Sequence, residues 1–267
     1  MRILYENASK KMSNDLQQVL DILEADDGKS FEEKKEEAIQ LLRTTAEMSK
    51  TENKIEYPDN ENKSADIKNS FWSAGNITSS ADDIILRPVN YSDRSDYFEI
   101  QKSYSMFKSM LNDETYCDTL WKEYTTEKSL MCTIVKNGIY VGYCGINNIT
   151  SQTYEIAIEL KPEWTRKGIG SIAISAMLNR FKDCLDISKY KIRIDPTNYA
   201  SQKLFEKLGA VPSNIVELLI HDEKALEQCE EENLHCIDEQ LIDVARKFSV
   251  EPRKLLSHVL EYSLIWK

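Results

Sequence analysis

The spacing of apolar residues divides the chain into three regions. In the first, residues 1–82, apolar positions three and four apart predict helices within residues 16–45. Polar residues dominate from 49 to 83, and their low hydrophobicity predicts a flexible or wrapping linker. Within this linker, the aromatic pair Phe71 and Trp72 is expected to dock on another surface. We therefore predict a helical N-terminal extension and a polar linker, both outside the main domain.

In the second region, residues 84–212, segments with alternating apolar and polar residues are followed in turn by segments with helical spacing of apolar residues. Strands are predicted at residues 83–89, in both halves of 129–149, and at 153–161 and 189–195. Helices are predicted at residues 93–111, from the glycines near 168 to 182, and at 198–210. Asn137-Gly138 is a strong signal for a tight turn between two strands, and Gly209 is expected to end the last of these helices.

The third region begins near residue 211 and contains a helical stripe of apolar residues, which predicts an amphipathic helix that packs on the domain. The stripe consists of Leu226, Cys229, Leu234, Ile237, Leu241, Val244 and Phe248. Residues 257–266 favour a strand and are expected to rejoin the main sheet. We therefore predict a helical insertion at about residues 222–250, before the last strand.

Composition and charge limit the possible partners. The 267 residues are 41% hydrophobic and 30% charged, a balance typical of globular proteins. No apolar run reaches the roughly 18 residues that span a bilayer, and the first residues lack the apolar core of a signal peptide, so we expect a cytoplasmic protein that does not bind membranes. The net charge of -11 disfavours a nucleic-acid partner. It favours a cationic substrate, or it simply serves solubility.

Six cysteines occur without any C-x-x-C pair, which predicts reduced and mostly buried thiols. The set His221, Cys229, His235 and Cys236 matches no usual spacing of zinc ligands. We therefore expect no metal.

The stretch "TRKGIG", residues 165–170, is the main candidate for chemistry. Only eight glycines occur in the chain, yet Gly168 and Gly170 lie two positions apart at the start of a predicted helix. Glycines allow the backbone to approach a ligand closely. The first turn of a helix presents unpaired amides and the positive end of its dipole, which together bind phosphate. Arg166 and Lys167 add positive charge.

Several interpretations of this loop compete. A nucleotide-binding G-x-x-x-x-G-K-[ST] loop is absent, and a dinucleotide G-x-G-x-x-G motif fails because residue 173 is Ala. A plain glycine-rich turn at a helix start remains open. The loop also resembles the pyrophosphate loop Q/R-x-x-G-x-G/A of the GNAT acetyltransferases, with Thr165 in place of Gln or Arg.

Neighbouring segments strengthen this resemblance, which covers about residues 84–212. "IDPTNYASQKLFEKLGA" is similar to the second half of a GNAT domain through Asp195, Pro196, Asn198 and Ser201, followed by Glu206, Lys207, Leu208 and Gly209. "ILRPVNYSDRSDYFEI" resembles the family's first strand and helix. The sequence "DPTNYAS" and Trp164 before the loop resemble the corresponding sequences of the branch that acetylates the N-termini of ribosomal proteins.

The resemblance implies an α+β fold with a mixed central sheet flanked by helices, over residues 83–267, after the N-terminal helical extension. It implies transfer of an acetyl group from acetyl-CoA to a primary amine, a small amine or a peptide N-terminus, by direct attack. A catalytically weak acyl-CoA-binding sensor or interaction module remains an alternative, and an ATP-binding protein a weaker one. Whether residues 1–82 form a lid, a homodimer arm or a substrate-selecting unit stays open.

The resemblance also assigns residues to the cofactor. The pyrophosphate would lie against Arg166, Lys167, Gly168, Ile169, Gly170 and Ser171. The pantetheine arm would pair with the backbone around Ile158, Glu159 and Leu160, and the next helix would face the cofactor with Asn198, Ser201 and Phe205. For Asn198, a plain helix N-cap is an equally good interpretation.

Candidates for proton transfer lie on the strand before the loop. Strand alternation puts Glu155, Ala157 and Glu159 on one face. Glu155 matches the position of a catalytic glutamate in several GNAT members, and Glu159 is the alternative base; two solvated surface carboxylates remain possible. Many members carry a Tyr at Phe205 that protonates the thiolate. Here Tyr199 or Cys144 would serve, or the thiolate leaves without an acid.

Overall fold

The computed structural model describes residues 58–79, 83–105, 108–217 and 222–267. The helices predicted within residues 16–45 lie outside these ranges, as does His221 of the candidate zinc set. No helix in the described ranges is both long enough and apolar enough to cross a membrane.

Eight strands of the described chain form one sheet, in the order β1-β2-β3-β4-β5-β6-β8-β7. Their bounds are β1 Ile77–Ser79, β2 Ile84–Pro88, β3 Leu130–Lys136, β4 Ile139–Ile146, β5 Tyr154–Leu160, β6 Lys189–Ile194, β7 Val211–Glu217 and β8 His258–Ile265. Every neighbouring pair is antiparallel except β5 and β6, which are parallel. The sheet is therefore mixed, and its single parallel pair lies near the middle.

Seven α-helices accompany the sheet in the described ranges. Their bounds are α1 Pro58–Trp72, α2 Arg94–Tyr104, α3 Glu114–Tyr124, α4 Ile169–Leu185, α5 Tyr199–Lys207, α6 Glu223–Glu232 and α7 Glu239–Phe248. Side chains of α1, α4, α5 and α7 join the main core on one face of the sheet. Helices α2 and α3 cover the other face with an aromatic cluster, in which the rings of Tyr97 and Tyr124 stack 4.3 Å apart.

Local sequence signals agree with this architecture. Asn137 and Gly138 both have positive φ, 51° and 79°, as the tight turn between β3 and β4 requires. Gly209 has φ 92° immediately after α5. The C-terminal segment returns to the sheet as β8, between β6 and β7. The predicted α+β class, with a mixed sheet flanked by helices, is confirmed.

The linker prediction is wrong for residues 58–72, which form α1. This helix is polar overall, but Ser64, Ile67 and Phe71 lie on its inner face and are buried. The ring of Phe71 packs 4.5 Å from that of Phe181 on α4. The predicted docking of Phe71 and Trp72 is thus confirmed, because both pack in the main core.

Three other segments differ from the predictions. The apolar stripe of the third region belongs to two helices, α6 and α7, because the chain turns at Leu234–Cys236 and Asp238 caps a new helix. Helix α3 and strand β7 are absent from the elements predicted above. Helix α3 has a clear signal nevertheless: Asp113 caps it, and Cys117, Leu120 and Tyr124 have helical spacing.

Candidate active site

The sheet opens at its parallel pair. Strands β5 and β6 are joined only at Tyr154–Tyr190 and Glu155–Lys191. Beyond these pairs, β6 is hydrogen-bonded to β8 and β5 to β4. The edge of β5 that faces β6 therefore has no partner among the described strands from Ile156 onward.

Alternation of the backbone shows which groups face this gap. Glu155 and Lys161 turn their backbone toward β4, through hydrogen bonds of 3.1 and 2.9 Å. The amides and carbonyls of Ile156, Ile158 and Leu160 consequently point into the gap. Of the residues predicted to pair with pantetheine, Ile158 and Leu160 thus have suitable backbone groups. Glu159 does not, because its backbone faces β4 and only its side chain is available.

One backbone carbonyl on the unpaired edge of β5 already accepts a hydrogen bond from a side chain. The Tyr104 hydroxyl, at the end of α2, donates to the Leu160 carbonyl at 3.0 Å. The Tyr104 side chain is 49% exposed, so the hydrogen bond lies at the entrance of the gap. Ligand binding at Leu160 would compete with this contact, whereas no side chain of the described residues forms such a hydrogen bond with the backbone of Ile158.

The chain between β5 and α4 forms a tight loop. A short 3-10 turn at Pro162–Trp164 is followed by Thr165, whose hydroxyl donates to the Pro162 carbonyl at 2.8 Å. Arg166 and Gly168 then adopt left-handed backbone conformations, with φ of 58° and 80°. This loop directs the chain into α4 beside the gap.

The N-terminus of α4 carries no side-chain cap. Asp113, Asn198, Asp222 and Asp238 cap helices α3, α5, α6 and α7 with side-chain oxygens. At α4 the N-cap is Gly168, which has no side chain to accept a hydrogen bond. The first amides of α4 therefore remain available to an anion.

The two glycines of the loop have different roles. A Cβ atom on Gly168 would meet nothing within 4 Å, so this residue leaves open space in front of the amides. A Cβ atom on Gly170 would lie 3.3 Å from both Ile158 Cδ1 and Leu204 Cδ2. Gly170 therefore serves the close packing of α4 against β5 and α5.

Positive charge lies on the same loop. Arg166 and Lys167 are exposed, and no carboxylate in the described ranges pairs with either of them. The Lys167 ammonium lies 4.8 Å from the centroid of the Trp164 ring, a cation–π contact. Both charges are free to bind an anion at the start of α4.

Helix α5 presents the other predicted cofactor residues. The Asn198 side-chain oxygen accepts from the Ser201 amide at 3.1 Å, so its role as an N-cap is confirmed. Contact of Asn198 and half-buried Ser201 with a cofactor stays a prediction. Phe205 is 2% exposed and packs in the main core, so only a small part of its ring could contact a ligand.

The two candidates for protonating the thiolate, Cys144 and Tyr199, lie in different surroundings. Cys144 is completely buried in the main core, opposite Cys132 on β3, and a role in proton transfer would require it to reach a ligand from there. Tyr199 is half-buried in the first turn of α5, and burial raises the pKa of its phenol. The phenol is therefore protonated at neutral pH.

The two glutamates of β5 share one face, as predicted, but their surroundings differ. Glu155 is buried, with one carboxylate oxygen 3.9 Å from Lys191 Nζ and 3.8 Å from Arg193 Nε. Arg193 also pairs with Glu261 on β8 at 3.7 Å. Glu155 therefore links β5 to the cations of β6 at the point where the strands part.

Glu159 is half-buried and contacts neutral donors. The Gln101 side-chain amide, from α2, donates to its carboxylate at 3.1 Å. The Tyr143 hydroxyl, from β4, also hydrogen-bonds to it. Burial raises the pKa of Tyr143 well above its usual value, and the negative charge of Glu159 raises it further, so Tyr143 is protonated and donates.

Gln101, Tyr143 and Tyr104 are not among the residues predicted from the sequence. A polar residue on the inner face of α2, four positions after Tyr97, was a usable signal for Gln101. No group of three or more His, Cys, Asp or Glu side chains in the described ranges is placed to hold a metal ion.

An open strand edge that leads to an uncapped, cationic helix N-terminus fits an elongated ligand with a phosphate at one end. Residues 83–211, which contain this site, match the acetyltransferase (GNAT) domain family. The chain therefore carries a GNAT domain over these residues.

Several relatives come from the ribosomal-protein branch. A protein of Bacillus subtilis (strain 168), named as a ribosomal protein bS18-alanine N-acetyltransferase, is 25% identical over 130 residues, which are 49% of this chain and 82% of that protein. RimL, a ribosomal α-N-protein acetyltransferase solved in complex with coenzyme A, aligns with a TM-score of 0.51 at 13% identity, over 72% of this chain and 98% of its own. Mycobacterium smegmatis RimJ in complex with CoA-disulfide aligns with a TM-score of 0.48 at 15% identity, over 72% of this chain and 86% of its own. The likeness to RimL supports the fold.

Proposed function

We propose that the protein transfers the acetyl group of acetyl-CoA to a primary amine, either a small amine or a peptide N-terminus, by direct attack. The observation that carries this proposal is the unpaired edge of β5, which runs into the uncapped N-terminus of α4. Solved structural relatives that contain coenzyme A support the choice of ligand.

The residues of the gap would hold the cofactor along its length. The amides of residues 168–171 would bind the pyrophosphate, with charge from Arg166 and Lys167. The backbone of Ile158 would pair with the pantetheine arm, and that of Leu160 would do so once Tyr104 releases its carbonyl. The bound thioester supplies an activated acetyl group.

The face of β5 that carries Glu155 and Glu159 would receive the amine. The attacking amine must lose a proton, which a nearby carboxylate accepts directly or through water. Glu155 is engaged by two cations, whereas Glu159 is half-buried and keeps access to solvent. We therefore assign proton acceptance to Glu159. Since Phe205 has no hydroxyl, the thiolate is protonated by Tyr199 or leaves unprotonated.

Thermal unfolding with CoA, acetyl-CoA and ATP tests the ligand. At about a hundred times its dissociation constant, CoA should add roughly 2.7 kcal/mol to the free energy of unfolding. The Gly168→Ala variant should lose this stabilisation, because its Cβ would enter the space in front of the amides. Gly138→Ala is the matched control, since Gly138 also has positive φ and open surroundings but lies in the β3–β4 turn.

Release of free thiol from acetyl-CoA, measured with a panel of amines, tests the reaction. Thiol release that depends on the amine is the expected result. Stabilisation by CoA without any turnover would favour an acyl-CoA-binding sensor instead. An unchanged melting temperature with millimolar CoA, together with an increase with ATP, would reject the proposal.

A further inference from the structure

We propose that Tyr104 is an autoinhibitory contact of the cofactor gap: in the free protein its hydroxyl occupies the Leu160 carbonyl on the unpaired edge of β5, and a ligand arm that pairs with this edge has to displace it. This inference rests on the proposed function and deepens it, because it names a contact that regulates entry of the cofactor arm. The anion site at the start of α4 lies outside this contact.

The Leu160 carbonyl is held in a fixed position at the end of β5. The next amide along the chain, that of Lys161, donates to the Val141 carbonyl of β4 at 2.9 Å. The Lys161 ammonium lies 2.6 Å from carboxylate oxygens of both Asp96 and Glu99 on α2. These contacts tie the end of β5 to β4 and to α2, so the Leu160 carbonyl keeps its direction into the gap.

Tyr104 reaches this carbonyl from the last position of α2. Its hydroxyl donates to the Leu160 oxygen at 3.0 Å, while half of the side chain stays exposed. Ser105 leaves the helix in an extended conformation, with φ -67° and ψ 139°. Tyr97 and Ile100, earlier in the same helix, are completely buried. The body of α2 is thus fixed by packing, whereas the Tyr104 side chain can rotate into solvent without opening the core.

The Tyr104 hydroxyl acts as a donor toward this carbonyl. Burial raises the pKa of the phenol, and the negative charges of Glu159 and Glu163 raise it further, so the phenol is protonated at neutral pH. A backbone carbonyl that points away from its strand partner needs another donor. The phenol supplies that donor to Leu160 in the free protein. A ligand arm that pairs with β5 would have to place its own N–H at the same oxygen.

The contact has a physical reason in the free protein. An unpaired strand edge presents amides and carbonyls that can pair with another chain, and proteins commonly cover such edges. Tyr104 covers the last carbonyl of the unpaired edge of β5. Only the form of the protein in which Tyr104 has left this carbonyl can pair with the arm there, so the contact lowers the apparent affinity for the arm. It leaves the affinity of the anion site for a pyrophosphate unchanged.

Calorimetric titration with CoA and with ADP tests the inference. Tyr104→Phe removes only the hydroxyl, so CoA should bind about fivefold more tightly than to the parent, the effect of losing one competing neutral hydrogen bond. Tyr104→Ala should also bind CoA more tightly. ADP, which has the pyrophosphate but no pantetheine arm, should bind the parent and both variants equally. Tyr91→Phe is the matched control and should leave CoA binding unchanged, because Tyr91 is an exposed phenol before α2 whose ring contacts Trp121 on α3.

The sign of the change separates this role from a direct contact with the cofactor. A residue that binds the cofactor loses affinity on substitution, so unchanged or weaker CoA binding in Tyr104→Phe, or an equal gain for ADP, would overturn the inference. The NMR resonances of the Tyr104 ring, assigned by their loss in Tyr104→Phe, should shift with CoA and stay in place with ADP. If CoA binds the parent and the variants alike, only the autoinhibition fails. If CoA binds none of them, the proposed function fails with it.

Discussion

At the scale of single residues, two carboxylates of one strand carry different tasks. Glu155 and Glu159 are of the same chemical type and lie on the same face of β5, four positions apart. The first faces Lys191 and Arg193, and the second faces two neutral donors. A carboxylate between two cations stabilises the join of β5 and β6, whereas Gln101 and Tyr143 position the carboxylate of Glu159.

This difference predicts that two matched substitutions act on different properties, one mainly on stability and the other mainly on turnover. Glu155→Gln should lower the free energy of unfolding by about 1–3 kcal/mol, because Lys191 and Arg193 lose a charged partner and Arg193 keeps only Glu261. Its turnover should fall less than that of Glu159→Gln, for which the loss of a general base predicts a decrease of about 10²–10⁴-fold. Urea denaturation and initial rates of thiol release measure the two effects. A large loss of turnover in Glu155→Gln without loss of stability would assign the base to Glu155.

At the scale of elements, a buried carboxylate joins the start of α2 to the sheet. Asp93, just before α2, accepts hydrogen bonds from Arg87 on β2 at 2.7 and 2.5 Å and from Thr133 on β3 at 2.7 Å. The Asn90 amide adds another at 2.9 Å. Burial alone would raise the pKa of Asp93, but these hydrogen bonds from Arg87, Asn90 and Thr133 outweigh burial and lower it.

The sign of this pKa change predicts a pH-dependent stability. Because the pKa is lower in the folded state, Asp93 stabilises the fold above its ordinary pKa of about 4, and this contribution is lost as the pH falls through the folded-state pKa. Asp93→Asn should cost about 2–3 kcal/mol at pH 7, and the difference from the parent should shrink below about pH 4. Urea denaturation at pH 7, 5 and 3 checks this. The exposed cap variant Asp222→Asn should show a small effect at every pH.

The helices and strands differ in how well they can be predicted from the sequence. Strands β2 to β6 and helix α4 follow from alternation, helical spacing and the Asn137-Gly138 turn, because local patterns encode them. The glycine loop follows for the same reason. Helix α1 does not, because only one narrow face of it is buried and the rest is polar. The hydrogen-bond partners of Glu159 cannot be predicted from the local pattern. Gln101 and Tyr143 lie 58 and 16 residues away along the chain, and only the folded structure brings them to Glu159.

At the scale of the whole molecule, α1 is an integral layer of the domain. Phe71 is completely buried against α4, and the Arg180 side chain donates to the carbonyls of Phe71 and Gly75 at 2.9 and 3.1 Å. Phe71→Ala should lower the free energy of unfolding by about 3–5 kcal/mol, the usual cost of emptying a core site of this size. Denaturation with two probes measures it. A loss below 1 kcal/mol would mean that α1 only rests on the domain.

The position of β8 orders events during synthesis on the ribosome. Strands β1 to β5 are each paired with the strand that precedes or follows them, so this half of the sheet can form as the chain emerges. Strand β8 lies between β6 and β7, and these two strands lack their main partner until residues 258–265 have been made. The early and late halves meet between β5 and β6. The gap between β5 and β6 is therefore also the boundary between two parts that fold in succession. A cofactor bound in this gap would contact both parts and stabilise their association.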